Sequence, residues 1–274
     1  MQRQAATAST PSIPSTASDD RRAVVLTRVV ILTTILVAWE VLARSGLLYR
    51  DVVPSLLPIA KQIVVLFMDR SFYWNLGVTV TEVAVALTIG GGTGIIVGVL
   101  LGRNRFIGRA FEPLLNYLGP TPKIIFFPIM IMWFGVGPES KIAMGALSCF
   151  FPVAISVAGS MREVNRVLIR VGISFRLTAF QMFTKIYMPA MRVPIINGIR
   201  IGLGVAIVGT LLAETKLANQ GLGYAVIQTY ATFNMPRMYA LLLIVFLLAV
   251  GVNSILGRYT EERAFSDRTS PGRR

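Results

Sequence analysis

The residues able to do chemistry are concentrated in one stretch, residues 161–204. Arg162, Arg166, Arg170, Arg176, Lys185, Arg192 and Arg200 fall inside it, against one acid, Glu163. Such a set makes contacts and does no bond chemistry. Within it, Thr178-Ala179-Phe180-Gln181 has the form of a capping box, in which the Thr hydroxyl accepts from the N3 amide and the Gln reaches back. Phe180, Phe183 and Tyr187 follow on one helical face. Lys185 sits toward the end that favours cations, and Pro189 is expected to end the helix. The pattern predicts a short amphipathic helix at a membrane surface, a place where another molecule drives this one.

Other chemistries are excluded. The chain has no histidine and one cysteine, Cys149. His-ligated zinc, Ser–His or Cys–His catalysis and an intrachain disulfide are therefore absent. There is no Gly-Lys-Ser/Thr phosphate loop, so this chain does not bind ATP by that route, and primary transport would require an ATPase partner. Glu40 and Glu82 are the only acids inside the predicted spans. Both lie near span ends, where snorkelling to the interface is the expected arrangement.

The elements that position the basic stretch are apolar. The 274 residues are 54% hydrophobic and only 15% charged, with mean hydropathy +0.66. That balance is of an integral membrane protein. The net charge of +14 lies between apolar runs, so it orients the chain and meets anionic lipid rather than nucleic acid. Residues 1–20 read as a disordered cytoplasmic tail. Spans are expected at about 23–43, 78–102, 124–133, 141–159, 194–213 and 238–256, within a transmembrane domain of 21–260. Its core runs over about 78–257, the central loop over 160–192, and a basic cytoplasmic tail over 261–274. A short interfacial helix is expected around Ile59, Ile63, Leu66 and Phe67. The basic segments alternate sides, which implies about six transmembrane helices with both termini inside.

Two spans carry further signals. Gly90, Gly94, Gly98 and Gly102 repeat every fourth residue, a face that admits another backbone closely. They or the glycines of the fifth span are candidates for packing against a second copy. The stretch Phe111–Gly135, which holds the third span, is interrupted by Pro113, Pro120, Pro122 and Pro128, with Lys123 in its middle. Residues 111–121 are expected at the interface, followed by a broken span. Irregular backbone at membrane depth lines protein or a cavity, so Phe126, Met130 and Trp133 are candidate pathway-lining residues.

The spacing from Arg170 to Pro189 resembles the cytoplasmic signature of permease subunits in binding-protein-dependent ABC importers. That signature begins Glu-Ala-Ala, has a Gly six residues after the Glu, and ends Leu-Pro. Arg170-Val171-Gly172 fall on the Glu-Ala-Ala, Arg176 on the Gly and Met188-Pro189 on the Leu-Pro. Trp133-Phe134-Gly135-Val136-Gly137, Phe150-Phe151-Pro152, Gly198-Ile199-Arg200, Ala213-Glu214 and Gly221-Leu222-Gly223-Tyr224 resemble the nitrate, sulfonate and taurine branch. The resemblance implies an all-α, type I ABC importer permease fold in the bacterial inner membrane. It implies a coupling helix over residues 174–183, where Arg170, Ser174, Phe175, Arg176, Leu177, Thr178, Ala179, Phe180 and Phe183 meet an ABC ATPase. The ATPase holds the ATP-Mg, and this chain holds no cofactor. A periplasmic binding protein delivers a small, anionic solute, and a second permease copy completes the pathway. The rival class, an ion-coupled secondary transporter, needs an inverted repeat and midplane charges, and neither is evident.

Overall fold

A computed structural model describes residues 17–47 and 52–269, with side chains at 23–47 and 52–257. The tail expected over residues 1–16 lies outside the described residues, as do Arg50, Asp51 and the final residues 270–274. Residues 17–20, expected in that tail, form the first turn of α1. The chain divides into two compact units, Met1–Pro58 and Ile59–Arg274.

The first unit holds α1 (Ala17–Arg44). Glu40 pairs with Arg44 at 2.6 Å and accepts from the Leu56 amide at 2.9 Å. Trp39 Nε1 donates to the Pro54 carbonyl at 3.1 Å. The turn after α1 is thus tied back to its last two turns.

The helices of the second unit are α2 (Leu56–Met68, which begins just before the division), α3 (Arg70–Arg103), α4 (Arg105–Leu118), α5 (Phe127–Phe134), α6 (Pro138–Glu163), α7 (Arg166–Ser174), α8 (Ala179–Met182), α9 (Met188–Lys216), α10 (Leu222–Ala231) and α11 (Met235–Thr269). No strand occurs among the described residues. Among them, five helices are long and apolar enough to cross a membrane, α1 included. The pair α4–α5, bent by 92°, makes a sixth.

The core is a three-helix sandwich with α6 in the middle. A Cβ on Gly94 would lie 2.9 Å from the Phe150 carbonyl and 3.0 Å from Val153 Cβ. On Gly98 it would lie 2.7 Å from the Ala154 carbonyl and from Val157 Cβ. Gly90 packs on Ala146 and Cys149, and Gly102 on Met161 and Ala158. An adjoining side of α6 receives α9 in the same way. A Cβ on Gly202 would meet Val153 Cγ2 at 2.7 Å, and one on Gly198 would meet Ser156 Cβ at 2.9 Å. Both glycine faces are therefore occupied inside the chain and do not offer the surface expected for a second copy. Small residues let backbones approach where lipid provides no hydrophobic drive between helices. Val153, Val157, Met161, Val164 and Met191 fill the basic end of this sandwich.

Several boundaries differ from expectation, each for a local reason. The second span starts eight residues early, because Asp69 caps α3 by accepting from the Ser71 amide at 2.9 Å. The segment before the third span is a helix, α4. Asn104 caps α4, accepting from the Phe106 and Ile107 amides at 2.9 and 3.3 Å. The helix then climbs along α6 from Arg162, beside Gly108, to Phe151, beside Gly119. The far-side loop after α9 contains α10, and the C-terminal tail expected from 261 is helical to Thr269.

Candidate docking elbow and far-side knot

The basic stretch folds as an elbow of two short helices feeding α9. Asn165 caps α7 by accepting from the Val167 amide at 2.8 Å. The helix ends in a Schellman motif. The Leu177 amide reaches the Gly172 carbonyl at 3.1 Å, and the Arg176 amide reaches the Ile173 carbonyl at 2.9 Å. The residue after the cap must be left-handed, and Arg176 is, with φ 51. An arginine therefore holds the conformation that the resembled signature gives to glycine, at a cost of about 1 kcal/mol. Gly172, on a small-residue position of that signature, lets α7 settle on the next segment. A Cβ there would lie 2.7 Å from Met182 Sδ.

The capping box forms with both bonds. The Thr178 amide donates to Gln181 Oε1 at 3.0 Å, and the Gln181 amide donates to Thr178 Oγ1 at 3.3 Å. The helix does not stop at Pro189, contrary to expectation. Residues Phe183–Tyr187 form a π-helical turn, in which the Met188 amide donates to the Phe183 carbonyl five residues back. This wider register removes the clash that a proline ring makes with the i−4 carbonyl of an α-helix. Pro189 then occupies the first turn of α9, where no amide is needed. The elbow is thus joined to a transmembrane helix without a hinge residue between them.

The elbow's surface is divided. Ile169, Ile186 and Tyr187 pack against the core. Phe175 is 77% exposed and Phe180 75% exposed. Beneath Phe180 and Phe183 lies a groove of about 460 Å³ that also includes Val99, Arg103, Met161, Ala179, Met182 and Tyr187. Arg162 is paired with Glu112, which ties α6 to α4 next to the elbow. Of the other candidate residues, Met130 packs against the cluster of Phe127, Met144 and Ala213. Phe126 is partly exposed, and Trp133 is 72% exposed beside Phe134.

The opposite end carries polar residues that sequence reasoning misplaced or missed. Glu82, expected to snorkel, is 3% exposed, and Glu214, expected in a loop, is 1% exposed at the end of α9. Thr79 on α3 donates to Glu214 Oε1 at 2.7 Å and accepts from the Leu222 amide of α10 at 2.8 Å. The Gly223 amide donates to Glu214 Oε2 at 2.6 Å, and the Gly221 amide to Asn75 Oδ1 at 2.8 Å. Asn75, Thr79 and Glu214 thus each satisfy one free amide at the start of α10, where the negative charge of Glu214 is favoured. Gly221 takes φ 108, and a Cβ on Gly223 would lie 2.7 Å from Glu214 Cβ. The legible signal was Glu214 followed by Gly221-x-Gly223. Lys141, also buried, donates to the Gly137 carbonyl at 3.1 Å and to that of Val136. Glu82 was misread because its burial depends on α6 and α9 closing over it.

A buried knot lies toward one end of the helices, an exposed elbow toward the other, and the bent third span beside them. A family model for the binding-protein-dependent transport system inner membrane component matches residues 90–261. The chain belongs to this family. It is 31% identical over 199 residues to the taurine transport system permease protein TauC of Escherichia coli, covering 71% of this chain and 72% of that one. It is 30% identical over 220 residues to the formylaminopyrimidine transport permease protein ThiX of Halalkalibacterium halodurans, covering 79% and 86%. It is 28% identical over 206 residues to the putative aliphatic sulfonates transport permease protein SsuC of Bacillus subtilis, covering 75% of each. A structure of the MetNI methionine ABC transporter in inward-facing conformations aligns at TM-score 0.59 and 19% identity, over 71% of this chain and 98% of that one. The fold is that of a type I ABC importer permease, and the protein is a multi-pass permease subunit of the inner membrane.

Proposed function

We propose that this permease imports a small anionic solute, handed over by a binding protein, and is driven by a separate ATPase gripping the elbow of α7, α8 and the π-turn. The observation that carries this is the pair of exposed aromatics, Phe175 and Phe180, on a doubly capped elbow ringed by Arg170 and Arg176. Apolar patches of this kind, rimmed by charge, mark protein contacts. The elbow runs unbroken into α9, so a displacement imposed on it reaches α6 and α3 through the glycine contacts. The solute class follows from relatives named for sulfonates, taurine and nitrate. The basic face, bearing Arg103, Arg105, Arg109 and the elbow, is read as cytoplasmic, with both termini on that side. ATP-Mg belongs to the partner, and this chain is non-catalytic. A second copy of the permease completes the pathway about a two-fold axis.

Arg176→Glu tests the docking role in the permease co-expressed with its ATPase. The expected result is reduced ATPase co-purification and loss of binding-protein-stimulated ATP turnover. Co-purification and turnover both equal to those of the native chain would refute it.

A further inference from the structure

The third span breaks at the depth where a membrane protein tolerates it least. Gly119, just past α4, lies against Phe151 and Ile155 of α6. Phe151 is near the centre of Pro138–Glu163, about 20 Å from either end. The irregular stretch Gly119-Pro120-Thr121-Pro122 is therefore at mid-membrane, and its two prolines bring no amide donors. Lys123 answers the free carbonyls. Its ammonium donates to Thr121 at 3.2 Å and to Gly119, and stands 5.2 Å from the Phe151 ring centroid.

Irregular backbone at this depth occurs only where protein or water covers it. In the single chain the outer side of the bent span is bare, with Ile125, Met132 and Trp133 exposed. A charged side chain at this depth faces a protein interior or an aqueous cavity. Among the described residues no carboxylate lies within ion-pairing distance of Lys123. Its charge is met by carbonyl dipoles and a ring face, which leaves it able to attract a small anion.

We propose that Lys123 is a small-anion contact on the translocation path, halfway across the membrane. This rests on the permease reading above and assigns the charge that meets the solute. The bent span holds the ammonium beside the Phe151 ring, and an oxyanion passing there exchanges part of its hydration for one N–H of Lys123.

The test uses the single cysteine. Cys149 is fully buried, so Ile125→Cys adds the one accessible thiol two residues from Lys123. In membranes holding the permease–ATPase complex, its labelling rate is measured with an anionic methanethiosulfonate bearing a sulfonate and with its cationic trimethylammonium counterpart. Rates are normalised to a free thiol. Both reagents are expected to react, with the anion-to-cation rate ratio falling about tenfold when Lys123→Gln is added. Lys123→Arg, which keeps the charge, is expected to preserve the ratio. Protection from both reagents, which marks an elbow facing lipid, overturns the proposal, and so does a ratio indifferent to Lys123. ATPase co-purification of the same variants reports on the permease reading separately. Its loss beside a Lys123-dependent ratio indicts that reading and not the anion site.

Discussion

Two alanines on one helix separate close packing from helix propensity. Gly98 and Gly92 both lie inside α3. A Cβ on Gly98 would stand 2.7 Å from Val157 Cβ and the Ala154 carbonyl, while one on Gly92 would meet nothing within 4 Å. Carbon atoms pack at about 3.5–4.0 Å, so Gly98→Ala forces α3 and α6 apart by roughly 1 Å. The backbone of α6 cannot shift freely, because Gly198 and Gly202 also hold α9 in close contact with it. Overpacking of this kind costs about 1–3 kcal/mol, offset by about 1 kcal/mol of helix propensity. The net expectation for Gly98→Ala is a loss of up to about 2 kcal/mol. Gly92→Ala keeps only the gain of about 1 kcal/mol. At roughly 2–4 °C per kcal/mol for a chain of this size, Gly92→Ala should melt above the native protein and Gly98→Ala roughly 2–12 °C below Gly92→Ala. Thermal denaturation in detergent, followed by size-exclusion chromatography, reads this directly. Equal stability of the two alanines would refute the sandwich packing of α3, α6 and α9.

Two further outcomes follow from single residues. Arg176→Gly relieves the left-handed strain at the end of α7 and should raise stability by about 1 kcal/mol, measured as Tm; an unchanged or lowered Tm removes the strained turn. The Ser71 amide, and then the Arg237 guanidinium, hold the Asp69 carboxyl below its usual range. A depressed native pKa gives stability that is complete above the unfolded value, about 3.9, and is lost as pH falls through the native one. Asp69→Asn should therefore flatten the acid limb of a Tm-versus-pH curve below about pH 4, and an unaltered limb counts against that contribution.

The sequence by itself determined what depends on solvent and on near neighbours. Apolar runs bounded by arginines specify a membrane-spanning α protein, because only helices satisfy their own backbone there or closed barrels satisfy it between strands. Glycines every fourth residue specify a close-packing face, and Thr178 with Gln181 specify a cap, since both are written within one or two turns. Tertiary structure decided the rest. Whether the α3 glycine face meets another copy or α6 is a matter of partner geometry, and α6 fills it. Pro189 continues a helix because a π-turn rearranges the preceding carbonyls, a shift that propensity does not encode. Glu82 is buried only when α6 and α9 close over it, and Lys123 meets the Phe151 ring, midway along α6, only because α4 runs along α6 before the bend. Depth and burial are properties of the assembled helices, set by contacts far apart in the chain.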